Sequence, residues 1–191
     1  TSGVPVPGCA SYNTGDIWIT AVVPANGNLL ISTAAGSITN GGLAAYRGSC
    51  STLTLISCDD DSGPGTMPQL VLTGLTPGAT IYIRFWDYND AVTGSSGGIC
   101  ASTFTAPAND DPCGALAIPV VSGACTPANP QVWIGATASA NVPAPGCASY
   151  TTGDVLFSAV VPANGNLIIN TLAGATTDGG MAAYRGTCTN L

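Results

Sequence analysis

The 191-residue chain is 46% hydrophobic but only 7% charged, so it has apolar material for an ordered core and draws its solubility from Ser, Thr, Asn, Gly and its ten Asp. A net charge of -7 excludes the basic patches that attract phosphate backbones and anionic lipid surfaces; neither nucleic acid nor a membrane surface is an expected partner. With no His, Lys or Glu there is no triad base and no Schiff-base amine, and consecutive Asp in a turn make a poor acid–base pair, so no enzyme is expected.

Asp16 to Val23 (DIWITAVV) and Asn28 to Thr33 (NLLIST) are rich in β-branched and aromatic residues, and Pro24-Ala25-Asn26-Gly27 breaks the chain between them, which predicts two strands. Leu53 to Cys58 predicts another, ending on the acidic turn Asp59-Asp60-Asp61-Ser62-Gly63. Gln69 to Leu75 predicts a further strand, Thr76-Pro77-Gly78 a turn, and Ala79 to Trp86 the next strand. No segment keeps a helical period, and strands at roughly 8 to 12 residue spacing predict an all-β antiparallel sandwich. No apolar run approaches the roughly 20 residues that cross a bilayer. No N-terminal stretch has a signal peptide's layout, so a secretion signal, if used, lies outside these residues.

Between Cys58 and Tyr88 the order CDDDSG, LTGLTPG, IYIRFWDY resembles the pre-peptidase C-terminal type of jelly-roll module, found in tandem on secreted and cell-surface bacterial proteins of the Bacteroidetes type. The resemblance covers nearly the whole chain and is most specific at Cys58 to Gly63 and Leu72 to Arg84. It implies a jelly-roll-like accessory β-sandwich rather than an activity. Because some such modules bind calcium, it also implies a candidate cation site.

An internal repeat organises the chain. Val4 to Leu53 returns as Val142 to Leu191, with Cys9 becoming Cys147 and Cys50 becoming Cys188, which sets the repeat period at 138. About two-thirds of the aligned positions are identical, and strand positions differ by apolar swaps such as Ile17/Val155, Leu30/Ile168 and Leu43/Met181. A repeat this long is a whole domain. Ala106-Pro107-Ala108-Asn109-Asp110-Asp111-Pro112 reads as the junction, giving a module over 1–106 without its opening segment and the first part of a homologous module over 107–191. An incomplete sandwich leaves strand edges and a core face open. Completion is expected from adjacent modules of one long tandem chain or from copies of the same chain. In the second case Asn109 to Ala138 closes the first module by circular permutation, and the next molecule completes Ser139 to Leu191 by strand complementation.

Eight cysteines without CxxC spacing and without His predict disulfides rather than zinc, and hence an extracellular or cell-surface location. Cys50 with Cys58, Cys9 with Cys100 and Cys113 with Cys125 is the favoured scheme, since Cys50 and Cys58 flank an apparent tight strand connection; Cys147 and Cys188 then need partners elsewhere. The alternative closes the chain on itself through Cys9–Cys50, Cys58–Cys100, Cys113–Cys125 and Cys147–Cys188.

Two readings of the acidic residues stay open. Asp59, Asp60 and Asp61 with Asp87, Asn89 and Asp90, or Asp110 and Asp111 of the junction, supply the oxygens calcium needs. Equally, Asp and Asn side chains cap tight turns through local hydrogen bonds. Trp18, Trp86, Tyr88 and Trp133 are either a platform for polysaccharide rings or core packing, and Trp18 is Leu156 in the second copy, which suits a core site. Arg47 and Arg185 share one repeat position, where an ion pair to Asp is expected. Together these features predict a non-enzymatic extracellular repeat protein of a filament, stalk or adhesin; the rival is a calcium-dependent carbohydrate-binding accessory module.

Overall fold

The strands of the first unit follow from alternation. In the sequence LLISTAA, β2 (Leu29–Ala35) buries Leu29, Ile31 and Thr33 and leaves Leu30 and Ser32 half-buried, the period-2 pattern of a strand with one face on a core. The buried Thr33 hydroxyl is satisfied by the Pro68 carbonyl at 2.6 Å. Our computed structural model describes residues 4–12, 15–88, 96–125, 133–139, 142–148, 150, 153–174 and 177–191. Contacts divide the chain into two units, Thr1–Thr105 and Ala106–Leu191.

The first unit is an antiparallel β-sandwich. One sheet has the order β1-β6-β3-β4, built from β1 (Asp16–Val22), β3 (Gly41–Ser49), β4 (Thr52–Asp59) and β6 (Thr80–Asp87). The other has the order β5-β2-β7, with β5 (Gln69–Leu72) and β7 (Gly97–Ser102) flanking β2. Among the described strands of this unit only β3 and β4 are joined as a hairpin; the other consecutive strands lie in different sheets, as jelly-roll-like folds require. Leu29 and Ile31 of β2, Leu43 and Ala45 of β3, Leu70 and Leu72 of β5 and Ile81, Ile83 and Phe85 of β6 close the core between the sheets.

β3 and β7 are not among the expected strands. The run GGLAAYRGS of β3 has little intrinsic β preference. It is a strand because it lies between β6 and β4, buried from Gly41 to Tyr46 on both faces. Its glycine has a packing reason: a Cβ on Gly42 would overlap Cε2 of Trp86, which is 2% exposed. Small residues here make room for the largest side chain of the unit.

The four-stranded sheet also has a buried outer face. Ala44, Tyr46 and Trp86 form a second cluster there, with Val4, Ala10, Tyr12 and Trp18 packed against it. The segment before β1 is held across this face by two bonds, from the Trp86 indole N–H to the Ser11 carbonyl at 3.0 Å and from the Tyr46 hydroxyl to the Pro5 carbonyl at 3.2 Å.

Within the second unit the described secondary structure is sparse: a 3-10 turn at Pro112–Gly114 and a short parallel pair, β8 (Leu116–Ala117) with β9 (Phe157–Ser158). Here the described part of the 109–138 segment pairs with 154–158. Local conformation nevertheless recurs at the repeat offset. Ala10 and Ala148 both hold the left-handed conformation that non-glycine residues seldom adopt, at φ 53° and 56°. The Asn28 amide donates to Asn26 Oδ1 and the Asn166 amide to Asn164 Oδ1. Tyr46 donates to the Pro5 carbonyl, and Tyr184 to that of Pro143.

Candidate functional site

The candidate calcium ligands do not converge among the described residues. Asp59, the last residue of β4, spends its carboxylate locally: Oδ2 accepts from the Ser62 amide at 3.0 Å and the Gln69 amide at 2.8 Å, and Oδ1 from the Ser62 hydroxyl at 2.6 Å. That is turn capping. Asp60 is half-buried and Asp61 exposed in the same turn. Asp87 is buried at the end of β6 opposite Gly41, whereas Asp59 faces Leu43 from the other side of β3. Two strand spacings, about 10 Å of backbone, separate the pair, and among the described residues no three Asp, Glu, His or Cys are grouped so as to hold a metal ion. Asn89 and Asp90 lie outside the described residues.

Asp110 and Asp111 belong to the second unit. Asp110 accepts from the Thr137 amide at 2.6 Å and its hydroxyl at 2.8 Å. Asp111 precedes the 3-10 turn, and its side chain makes no capping bond there. The local bonds of Asp59 lead to a prediction: Asp59→Ala costs about 1–3 kcal/mol by stranding two amides and a hydroxyl. The loss should be the same in calcium and in chelator when read by urea unfolding; a loss seen only in calcium would restore the cation reading.

Two of the four aromatic candidates, Trp86 and Trp18, are used in packing. Trp86 is buried, with Tyr12 edge-on at 5.6 Å, and Trp18 is half-buried with its ring centroid 5.3 Å from that of Tyr46. Tyr88 is half-buried just past β6, and Trp133 is exposed in the second unit. At the centre of the outer cluster lies Arg84, a residue that sequence reasoning leaves without a role. Its Nε donates to Asp16 Oδ2 at 2.5 Å and its guanidinium carbon sits 3.7 Å from the Tyr12 ring centroid and 5.4 Å from that of Trp18. The expected ion pair therefore falls at Arg84, while Arg47 is exposed at the end of β3 and Arg185 is exposed in the second unit.

Burial pushes the Tyr46 phenol above its ordinary value of 10.0, against the downward pull of the neighbouring Arg84 guanidinium. A raised folded-state value keeps its stabilising contribution intact below pH 10 and removes it as pH climbs through that higher value. Base-induced unfolding of the first unit should thus set in above pH 10, and Tyr46→Phe should flatten that limb. A wild-type limb unchanged in Tyr46→Phe would assign it to another group.

The cysteine pairing corrects both expected schemes. Cys9 is bonded to Cys58 and Cys113 to Cys188, and Cys50, Cys100, Cys125 and Cys147 are free and exposed. Cys50 and Cys58 do not flank a tight connection. The tight turn is at Cys50-Ser51 itself, where Ser49 faces Thr52, and Cys58 lies six residues up β4 opposite Ala44. At strand rise that is about 20 Å, beyond any disulfide. Cys100 is on β7 in the other sheet, while Cys9 is on the segment that crosses the outer face next to Cys58. Cys125 and Cys147 are exposed in the second unit.

No protein-family model matches the chain, and no curated protein or solved structure matches it. The class defined by the fold is an all-β sandwich with two disulfides. Among the described residues no helix is long and apolar enough to cross a membrane.

Proposed function

We propose that this chain is a structural, non-enzymatic repeat protein of the cell exterior, building a filament, stalk or adhesin whose modules are completed by chain continuation or by strand complementation between subunits. The observation that carries this reading is the recurrence of the same local structure at the repeat offset around one cysteine pattern, with half of the cysteines unpaired and exposed. Disulfides and exposed thiols together suit an oxidising exterior in which modules are cross-linked. A chain with no Lys and three Arg, of which Arg84 is buried, offers trypsin-like proteases few sites, which suits a protein that persists outside the cell.

The test is electron microscopy of the native protein, paired with its denatured, reduced mass. Filaments from a polypeptide near 18.8 kDa mean subunits that complete one another, and filaments from a polypeptide many times larger mean one continuous tandem chain. Dispersed particles of the monomer mass at every concentration would overturn the reading.

A further inference from the structure

We propose that the free edge of β1 in the first unit is a docking site for the Asn109–Ile118 segment of a second copy of this chain, and that Cys50 forms a disulfide with that segment's Cys113. The inference rests on the reading of the chain as a self-associating repeat protein and assigns the joint.

The template for the joint lies within the second unit. There, residues 154–158 correspond to Asp16–Thr20 of β1 in the repeat. The Asp154 amide donates to the Thr137 carbonyl at 3.3 Å and the Leu156 amide to the Asn109 carbonyl at 2.8 Å. Leu116 donates to the Leu156 carbonyl at 3.1 Å and Ile118 to that of Ser158 at 2.9 Å, while the buried Asn109 adds a side-chain bond to the Leu156 carbonyl at 3.0 Å. One edge of that strand is thus filled by the segment that opens the module.

The same edge of β1 is unpaired by any strand among the described residues, because β1 ends its sheet and meets β6 on one side only. The register shows which groups it presents. Val23 donates to the Ala79 carbonyl at 2.9 Å, continuing the Val22–Thr80 register. Since backbone groups in an antiparallel strand alternate in direction, Ile17, Ile19 and Ala21 turn theirs toward β6, and Asp16, Trp18 and Thr20 turn theirs outward. These are the counterparts of Asp154, Leu156 and Ser158, so the outward groups match one for one.

Side chains agree with the backbone. In the parallel pair Leu116 sits beside Phe157, the counterpart of Ile19, whose side chain packs on the inter-sheet core. A docked Leu116 would therefore lie beside Ile19, and Ile118 beside Ala21, extending the core past an edge where Ile17 is 54% exposed. Docking exchanges the segment's pairing with 154–158 of its own unit for the equivalent pairing with β1 of the next copy, and covers there the Leu116 and Ile118 surface that is 43% and 37% exposed in its own unit.

The thiol supplies an independent observation. Cys188, which bonds Cys113, occupies the turn position of Cys50: Ser49 and Ser51 hydroxyls lie 3.1 Å apart around Cys50, and Thr187 and Thr189 hydroxyls 3.3 Å apart around Cys188. The glycine two residues before each cysteine would drive a Cβ into the equivalent carbonyl, of Thr52 and of Asn190. Cys50 thus stands where the fold places a partner for Cys113, and it is free and exposed. In the native chain the bond forms by exchange: the Cys50 thiolate attacks Sγ of Cys113 in the Cys113–Cys188 bond, and Cys188 leaves as the thiolate, with no oxidant consumed. Where Cys188 is replaced, the Cys50 and Cys113 thiols are instead oxidised to one disulfide by oxidised glutathione, which leaves as two reduced glutathione molecules.

The experiment uses the full-length Cys188→Ser chain, in which Cys113 is released, made in unlabelled and nitrogen-15 forms, mixed, and oxidised in a glutathione buffer. Digestion and mass spectrometry should find Cys50–Cys113 linked peptides that carry one light and one heavy half. Adding Leu116→Pro, which removes the N–H offered to the Trp18 carbonyl, should lower their yield about fivefold, the worth of one net hydrogen bond. Cys50–Cys113 peptides that are exclusively isotope-pure, Cys113 joined to Cys100, Cys125 or Cys147 instead, or a yield indifferent to Leu116→Pro would each overturn the proposal. Filaments of the wild-type protein without this link would sink the joint and leave the filament reading standing; the link in particles no larger than dimers would do the reverse.

Discussion

Replacing Arg84 by Ala is expected to destabilise the first unit by about 3–5 kcal/mol, the range for breaking a buried ion pair from one side. Arg84 is 4% exposed, and its guanidinium lies against the Tyr12 and Trp18 rings while Nε bonds Asp16. Truncation leaves Asp16 with its charge partly buried and opens a gap beside the Tyr12 and Trp18 rings. Because the Asp16 side chain keeps 18% of its exposure, water can reach it and the lower half of the range is expected. Arg84→Lys should recover part of the loss, since it keeps the charge but not the planar face that stacks on Tyr12. Urea unfolding followed by Trp fluorescence in a Trp133→Phe background reads this directly. A loss below about 1 kcal/mol would mean that the cluster is incidental.

Removing the Cys9–Cys58 disulfide by serine substitution at both positions should cost about 4 kcal/mol in the chain-entropy model, given the sequence separation of 49 between the cysteines. The effect has a visible structural side. Cys9 anchors the segment whose Ser11 carbonyl receives the Trp86 N–H and whose Val4, Ala10 and Tyr12 cover the outer cluster. Without the bond that cover should lift, so Trp86 emission should shift to the red at denaturant concentrations where the wild type is still native. Equal unfolding midpoints for the double variant and the wild type would show that packing alone holds the segment. The result also bears on assembly, because a loosened Val4–Tyr12 segment would disturb Asp16 and Trp18 at the very edge proposed for docking.

Strands with strong alternation are legible from residues alone. The patterns at Asp16 to Val23, Asn28 to Thr33 and Ala79 to Trp86 fall within a residue or two of β1, β2 and β6. Their β-branched and aromatic residues favour a pleated, half-buried surface whatever surrounds them. β3 is not legible as a strand, since Gly41, Gly42, Ala44 and Ala45 carry no such preference. Its place is dictated by Trp86, a neighbour from a distant part of the chain that needs the space above Gly42. Arg84 is equally opaque: a lone Arg in IYIRFWDY gives no sign that it faces Asp16, 68 residues earlier, across β1 and β6.

By itself the sequence determined the all-β class, the position of the strong strands, the commitment to disulfides and the internal repeat, because each is written in local pattern or in self-similarity. Only the tertiary structure decided which cysteines meet, that Asp59 caps its own turn, and which edge of the sandwich stands open among the described residues. Pairing of distant groups depends on register and on which sheet each strand joins. A single residue of register moves a side chain to the opposite face, and no local pattern in this chain encodes that choice.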